Sequence, residues 1–291
     1  MKAPDFRYHR PTTIAEAVTL LRDHDNARPL AGGQSLVPML NLRIAGPDHL
    51  VDLGGIDELV GISETDTELV VGAMTTQRAI ERSPLVARYA PLLTETVAHV
   101  GHQQTRNRGT LGGSLCHLDP GAELPVAAAA LDATLVAAGP GGTREIAFAD
   151  FPAGYLTSTL ASDEILTTIR VKKIGARTGT ALVEFNRRPA DFAIVCVATV
   201  LTMVDDDRIA RASIALGGSF EAPVRLAAAE SALVGNVPGE ASFAAAGDIA
   251  RALPCDGDDL YPADFRQDLA GTLVARALAR AASRIESLTH A

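Results

Sequence analysis

The chain has 291 residues, of which 35 are acidic and 26 are basic, so its formal net charge at pH 7 is −9. A negative chain with 4% aromatic residues and no tryptophan is poorly suited to phosphate backbones or to base stacking, which excludes general nucleic-acid binding. The longest nearly uncharged apolar stretch, residues 192–204, is too short to cross a bilayer, and no signal-peptide pattern is visible.

The cysteines also exclude a class of site. Cys116, Cys196 and Cys255 are far apart in the sequence and form no CxxC pair. Zinc and iron–sulfur sites built on thiolates need several cysteines that come together. We therefore expect no cysteine-ligated metal in this chain, and we expect free thiols in a reducing cytoplasm.

The first third of the chain is predicted to be a small α/β unit. Thr13 and Glu16 form a capping box that opens an amphipathic helix. A short strand at about residues 28–31 is followed by a Gly-Gly loop and a helix that begins near Leu36. A second strand, residues 49–53, ends in Gly54-Gly55.

The middle of the chain alternates strands and helices. Strands are predicted at residues 68–73, 133–138, 144–148 and 165–171, and helices at residues 75–81, 91–100 and 121–131. The stretch from Arg106 to Cys116 is glycine-rich and polar and is predicted as a loop. A domain boundary is predicted near residues 172–180.

The last part of the chain has a different pattern. Residues 181–185, 192–203 and 208–216 are predicted as three sequential strands, and the longest alanine-rich helix as residues 264–287. Sequential strands covered by helices are typical of an α+β layer.

Two of the five Gly-Gly pairs lie in loops with hydroxyl residues beside them, and the first of these loops leads into the start of a helix. They are Gly32-Gly33, followed by Ser35, and Gly112-Gly113, between Thr110 and Ser114. Successive amide N–H groups at such a turn bind anions, and the helix dipole adds partial positive charge. Together the two loops indicate a diphosphate-bearing cofactor, while the Rossmann and P-loop patterns are absent.

These loops resemble those of a known family. Residues 28–36, RPLAGGQSL, resemble the first FAD-binding loop of the flavoprotein subunits of molybdenum hydroxylases, the xanthine dehydrogenase and carbon monoxide dehydrogenase group. Residues 101–114, GHQQTRNRGTLGGS, resemble the second loop, and residues 116–125, CHLDPGAELP, continue it. With residues 186–193, NRRPADFA, the resemblance covers nearly the whole chain.

The resemblance implies an α+β fold. It implies a FAD-binding domain of the PCMH or vanillyl-alcohol-oxidase type in residues 1–175, made of two α/β subdomains at about 1–55 and 56–175. It also implies a C-terminal α+β flavoprotein domain, residues 176–291, with a three-stranded antiparallel sheet.

The resemblance also implies a cofactor site, by position. The pyrophosphate of FAD would be held from one side by Ala31, Gly32, Gly33, Gln34 and Ser35. It would be held from the other side by Thr110, Gly112, Gly113 and Ser114. Glu123 would accept hydrogen bonds from the adenosine ribose, and Leu166 would contact the isoalloxazine ring through its backbone. No catalytic residue and no metal ligand is expected in this chain.

The function implied is that of a FAD-binding electron-transfer subunit in a heteromeric molybdenum hydroxylase. The substrate would be hydroxylated at a molybdenum cofactor on a large partner subunit. Electrons would reach this FAD through [2Fe–2S] clusters on a small partner subunit and would leave to an external acceptor. A dimer of heterotrimers is implied as well.

Two alternatives stay open. One is a free-standing flavin oxidoreductase of the same fold, for which His117, near Asp119, is the only evident acid–base group. The other is a non-enzymatic binding module, in which bulky residues at Gly33 and Gly113 would leave function intact. Cys116 has no evident base or metal partner and is interpreted as a small packing residue.

Overall fold

A three-stranded parallel sheet forms the N-terminal unit. The structure is a computed structural model that describes residues 2–289, with side chains described as far as residue 285. The predicted N-cap at Thr13 is present, since Glu16 N–H donates to Thr13 Oγ1 at 3.2 Å. The Glu16 carboxylate accepts at 2.8 Å from Thr12 N–H, one residue before the N-cap. The elements are β1 (Arg7–His9), α1 (Ile14–Asp23), β2 (Ala27–Leu30), α2 (Leu36–Asn41) and β3 (His49–Asp52), in sheet order β1-β3-β2.

The second unit contains a five-stranded antiparallel sheet in the order β4-β5-β10-β6-β7. Its strands are β4 (Ile62–Glu64), β5 (Glu68–Gly72), β6 (Thr134–Gly139), β7 (Gly142–Ala147) and β10 (Ile165–Lys172), with β8 (Pro152–Gly154) and β9 (Thr157–Ser158) forming a small separate hairpin. Its helices are α3 (Gln77–Arg82), α4 (Pro84–Tyr89), α5 (Pro91–His99), α6 (Gln103–Arg106), α7 (Leu111–His117) and α8 (Glu123–Ala130).

The C-terminal unit is an antiparallel sheet in the order β11-β12-β13-β14. Its elements are β11 (Thr178–Asn186), β12 (Ala193–Met203), β13 (Ile209–Gly217), β14 (Val224–Arg225), α9 (Ala227–Leu233), α10 (Glu240–Arg251) and α11 (Ala263–Thr289). Helix α11 packs on β11 and β12, while α8 of the second unit packs on β12 and β13. Strand β12 is thus contacted by a helix of the C-terminal unit and by a helix of the second unit. Its residues 193–201 are therefore all buried, which explains its continuous apolar sequence.

The α+β prediction is confirmed, and three details of it need correction. The C-terminal sheet has four strands among the described residues, since the two-residue β14 pairs with β13. The sheet of the second unit is antiparallel throughout, so this unit is not an α/β unit like the first. The predicted loop at residues 106–116 contains helix α7, because Leu111, Leu115 and Leu118 are buried at helical spacing.

Helix α8 is the central packing element. All eight of its residues are buried, and its alanines allow close approach of the C-terminal sheet and of helices α5 and α7. Gly217 of β13 lies so close to it that an added Cβ would be 2.4 Å from Val126 Cγ2. The core of the second unit is therefore continuous with one face of the C-terminal sheet.

None of the helices within residues 2–289 has an apolar stretch of the length that a bilayer crossing requires.

Candidate functional site

The first glycine loop connects the end of β2 to the start of α2. Gly33 has φ +71°, a conformation that glycine adopts without strain. Within residues 2–289, no acceptor is found for the N–H groups of Gly32, Gly33, Gln34 and Ser35. Ser35 occupies the N-cap of α2 but its side chain makes no capping bond. Adjacent amide donors without acceptors at a helix start form a site for an anion.

The second glycine segment is the first turn of helix α7. Thr110 Oγ1 accepts from Gly113 N–H at 3.0 Å, and Thr110 O accepts from Ser114 N–H at 3.2 Å. Gly112 N–H donates to Ala73 O at 2.9 Å. Unlike the first loop, this segment therefore has amides that are already paired, and it offers an anion the positive end of a short helix.

The two glycine segments lie directly against one another. A Cβ on Gly32 would be 2.1 Å from Arg108 O and 2.8 Å from Gly109 Cα. A Cβ on Gly113 would be 3.2 Å from Ala31 Cβ. Segments that are far apart in the sequence thus come together, and the glycines are what permits their backbones to approach.

Thr167, the residue after Leu166, is connected to the second glycine segment by two backbone hydrogen bonds through Ala73. Thr167 O accepts from Ala73 N–H at 2.9 Å, and Ala73 O accepts from Gly112 N–H at 2.9 Å. The register of β10 shifts between Leu166 and Thr168, which indicates a bulge at this point. Leu166 as a whole residue is 3% exposed, and its side chain belongs to the hydrophobic core of the second unit.

Glu123, the first residue of α8, is 3% exposed. Burial raises the pKa of its carboxyl to about 7, and the Glu184 carboxylate acts in the same direction. Glu184 Oε1 accepts from Asn186 Nδ2 at 2.8 Å and lies 2.9 Å from His99 Nδ1, while no partner is found for its Oε2 among the described residues. The charged groups that act on Glu123 are Glu184, His99 and Asp119, and none of them lies in the two glycine segments.

Arg106 holds the chain just before the second glycine segment. Its guanidinium donates to Val100 O at 3.1 Å and to Gly101 O at 2.9 Å, and it pairs with the Glu81 carboxylate at 3.2 Å. Sequence reasoning missed this role and those of His99 and Glu184, because each depends on contacts between separate helices and strands.

His117 forms no acid–base pair with Asp119. Asp119 Oδ1 instead accepts from Gly121 N–H at 2.9 Å. Burial and the nearby Arg28 lower the pKa of His117, against the effect of the Asp119 charge. The ring is therefore a neutral group at the end of α7 without the carboxylate contact that a general base commonly uses.

Cys116 is expected to resist alkylation in the folded chain. Burial raises the pKa of its thiol to about 12, so the reactive thiolate is scarce near neutral pH. At pH 8, iodoacetamide should modify Cys116 about 1000-fold more slowly in the folded chain than in the unfolded chain. Mass spectrometry of quenched samples measures both rates, with the unfolded chain as the control. Equal rates would contradict this assignment.

Two families of known proteins match the chain. Residues 4–172 match the FAD-binding domain in molybdopterin dehydrogenase, and residues 180–281 match the carbon monoxide dehydrogenase flavoprotein C-terminal domain. The chain is 37% identical to the carbon monoxide dehydrogenase medium chain of Afipia carboxidovorans, over 97% of this chain and 98% of that protein. It is 38% identical to the caffeine dehydrogenase subunit beta of a Pseudomonas species, over 99% of this chain and 98% of that protein.

The solved structures agree with the sequence comparisons. A chain of carbon monoxide dehydrogenase from Hydrogenophaga pseudoflava, in a form that lacks the Mo-pyranopterin moiety of the molybdenum cofactor, superposes with a TM-score of 0.94 at 38% identity. The match covers 98% of this chain and 99% of that chain. The fold agrees with that of the relatives over nearly all the residues compared, and the chain belongs to the family of FAD-binding flavoprotein subunits of molybdopterin dehydrogenases.

Proposed function

We propose that this chain is the electron-transfer subunit of a heteromeric molybdenum hydroxylase and that it holds FAD between its two glycine segments. The observation that carries the proposal is the row of unpaired amides from Gly32 to Ser35, placed directly against the start of α7. A pyrophosphate needs such donors more than it needs side-chain charge, which suits a chain with a net charge of −9.

Each proposed ligand has a distinct task. Ala31, the residue directly after β2, begins the first loop, which holds the pyrophosphate, and the amides of Gly32, Gly33, Gln34 and Ser35 bind the phosphate oxygens. Across the site, the Thr110, Gly112, Gly113 and Ser114 segment contributes the positive end of α7 and a hydroxyl. Glu123 accepts hydrogen bonds from the ribose, and the backbone at Leu166 supports the isoalloxazine ring.

When bound, FAD supplies the redox chemistry by which electrons from the [2Fe–2S] clusters of a small partner subunit reach an external acceptor. A large partner subunit with the molybdenum cofactor completes the proposed complex, as a dimer of heterotrimers. The names of the relatives as medium chains and subunits support this division. The three free thiols of this chain support a cytoplasmic location.

Gly33→Ala is expected to weaken FAD binding about 10-fold. Alanine at φ +71° is strained by about 1–2 kcal/mol, and relief of that strain turns the neighbouring amides away from the phosphate position. The measurement is a fluorescence titration of the flavin-free full chain with FAD. The matched control is Gly235→Ala, at φ +81° with open space around it, which carries similar strain far along the chain from the loop. Equal weakening of FAD binding in both variants would contradict the assignment of Gly33 to the phosphate-binding loop.

The subunit proposal is tested by purification of the chain from its native cells, with a visible spectrum and metal analysis. Flavin absorbance together with iron, molybdenum and two companion chains is the expected result. Flavin without companions or metals would instead favour a free-standing flavin oxidoreductase. That alternative needs an acid–base group, and His117 has no hydrogen bond to another described side chain. Absence of flavin would contradict both.

A further inference from the structure

Three histidines meet in the N-terminal unit, outside the proposed cofactor site. His9 is the last residue of β1, His49 is the first residue of β3, and His24 follows the end of α1. His24 precedes β2 and His49 pairs with Ala27 at its first residue, whereas the glycine loop follows the last residue of β2. Three elements that are distant in the sequence thus each bring one imidazole to the same place.

The ring nitrogens are close enough to share an ion. One ring nitrogen from each histidine lies within 4.8 Å of the others. His9 Nε2 and His49 Nδ1 are 2.9 Å apart, and the centroids of the His24 and His49 rings are 4.2 Å apart. In a tetrahedral zinc site with Zn–N bonds of about 2.0–2.1 Å, ligand nitrogens are about 3.3 Å apart. The rings are stacked, so coordination requires them to turn about their side-chain torsions.

Apart from the hydrogen bond between His9 Nε2 and His49 Nδ1, no hydrogen bond or ion pair with another described side chain is found for the three imidazoles. All three rings are half-buried. No carboxylate within the described side chains pairs with any of them. The carboxylate of Asp48, the residue before His49, accepts from Asn26 Nδ2 at 3.0 Å instead. Burial, with the neighbouring His24, His49 and Arg7, lowers the pKa of His9. Three imidazoles that converge in this way offer the nitrogen ligands that transition-metal ions commonly bind in proteins.

We propose that His9, His24 and His49 form a binding site for a divalent transition-metal ion, with one ring nitrogen from each as ligand and water completing the coordination. Imidazole suits Zn²⁺, Cu²⁺ and Ni²⁺, whereas Mg²⁺ and Ca²⁺ prefer oxygen ligands. A bound ion would join β1, the end of α1 and β3. The site is independent of the proposed flavin function, because none of its residues belongs to the glycine segments.

The test is a calorimetric titration of the tag-free full chain with ZnCl₂, after treatment with EDTA and dialysis. We expect one Zn²⁺ per chain, and no binding of Mg²⁺ under the same conditions. Each of His9→Gln, His24→Gln and His49→Gln should weaken Zn²⁺ binding at least about 10-fold, since each removes one of three ligands. His102→Gln, an exposed histidine outside the cluster, is the matched control and should bind as the wild type does.

Thermal unfolding separates loss of the site from loss of the fold. In EDTA the three cluster variants should still unfold cooperatively, because the histidines are half-buried and lie outside the hydrophobic core of this unit. Added Zn²⁺ should raise the Tm of the wild type and of His102→Gln but not that of the cluster variants. Stoichiometric zinc binding that survives in all three cluster variants, or no binding by the wild type, would overturn the proposal.

Discussion

Gly32→Ala is expected to lower the FAD affinity of the full chain by at least about 100-fold. Its Cβ would be 2.1 Å from Arg108 O and 2.7 Å from the carbonyl carbon, both backbone atoms that no side-chain rotation can move away. The two glycine segments must then separate, at a cost of about 3 kcal/mol, and the pyrophosphate can no longer touch both. A titration of the flavin-free variant with FAD measures the loss.

The control for this substitution is Gly46→Ala, which lies in the same unit and has no atom within 4 Å of its added Cβ. It should bind FAD as the wild type does. The Tm of both variants shows whether the chain is still folded, and Gly33→Ala tests the same loop without backbone overlap. Wild-type affinity in a folded Gly32→Ala variant would show that contact between the segments is not needed for FAD.

Glu123→Gln is expected to stabilise the flavin-free chain at pH 8 by about 3 kcal/mol. The pKa of about 7, against an ordinary value of 4.5, corresponds to roughly 3 kcal/mol at 1.36 kcal/mol per unit. Since the folded-state pKa is the higher one, the contribution of Glu123 is fully present below pH 4.5 and is lost as the pH rises through 7. A neutral glutamine does not incur the cost of a buried charge.

Urea unfolding at pH 5 and pH 8 measures this difference, with the exposed Glu58→Gln as the control. The stabilisation by Glu123→Gln should be large at pH 8 and small at pH 5, and Glu58→Gln should change neither value. If Glu123 binds the ribose as proposed, the same variant should bind FAD about 10-fold more weakly. A stabilisation that is equal at both pH values would contradict the buried-charge explanation.

Local patterns were the most predictable part of this chain. Three such features are predictable because each depends on residues close in the sequence: the N-cap at Thr13, the strand before Gly32 and the helix after Ser35. Helix α7 was wrongly predicted as a loop because Gly112 and Gly113 weaken a helical pattern. The leucines at 111, 115 and 118 carry the signal that could have revealed it.

Long-range features could not be predicted in the same way. Glu184 and His99 are 85 residues apart and meet only because β11 packs beside α5. The three histidines are brought together by parallel pairing of β1 and β3 and by the end of α1, for which no spacing rule exists. The sequence also does not predict strand β14, since two residues are too few to show an alternating pattern.

The most direct test of the proposed site is a comparison of FAD with FMN as ligands of the flavin-free full chain. FMN has the isoalloxazine ring but lacks the pyrophosphate and the adenosine. If the glycine segments hold the pyrophosphate, one FAD should bind per chain and FMN should bind at least about 100-fold more weakly. Equal affinity for FMN and FAD, or no binding of either, would contradict the assignment of both glycine segments to the cofactor.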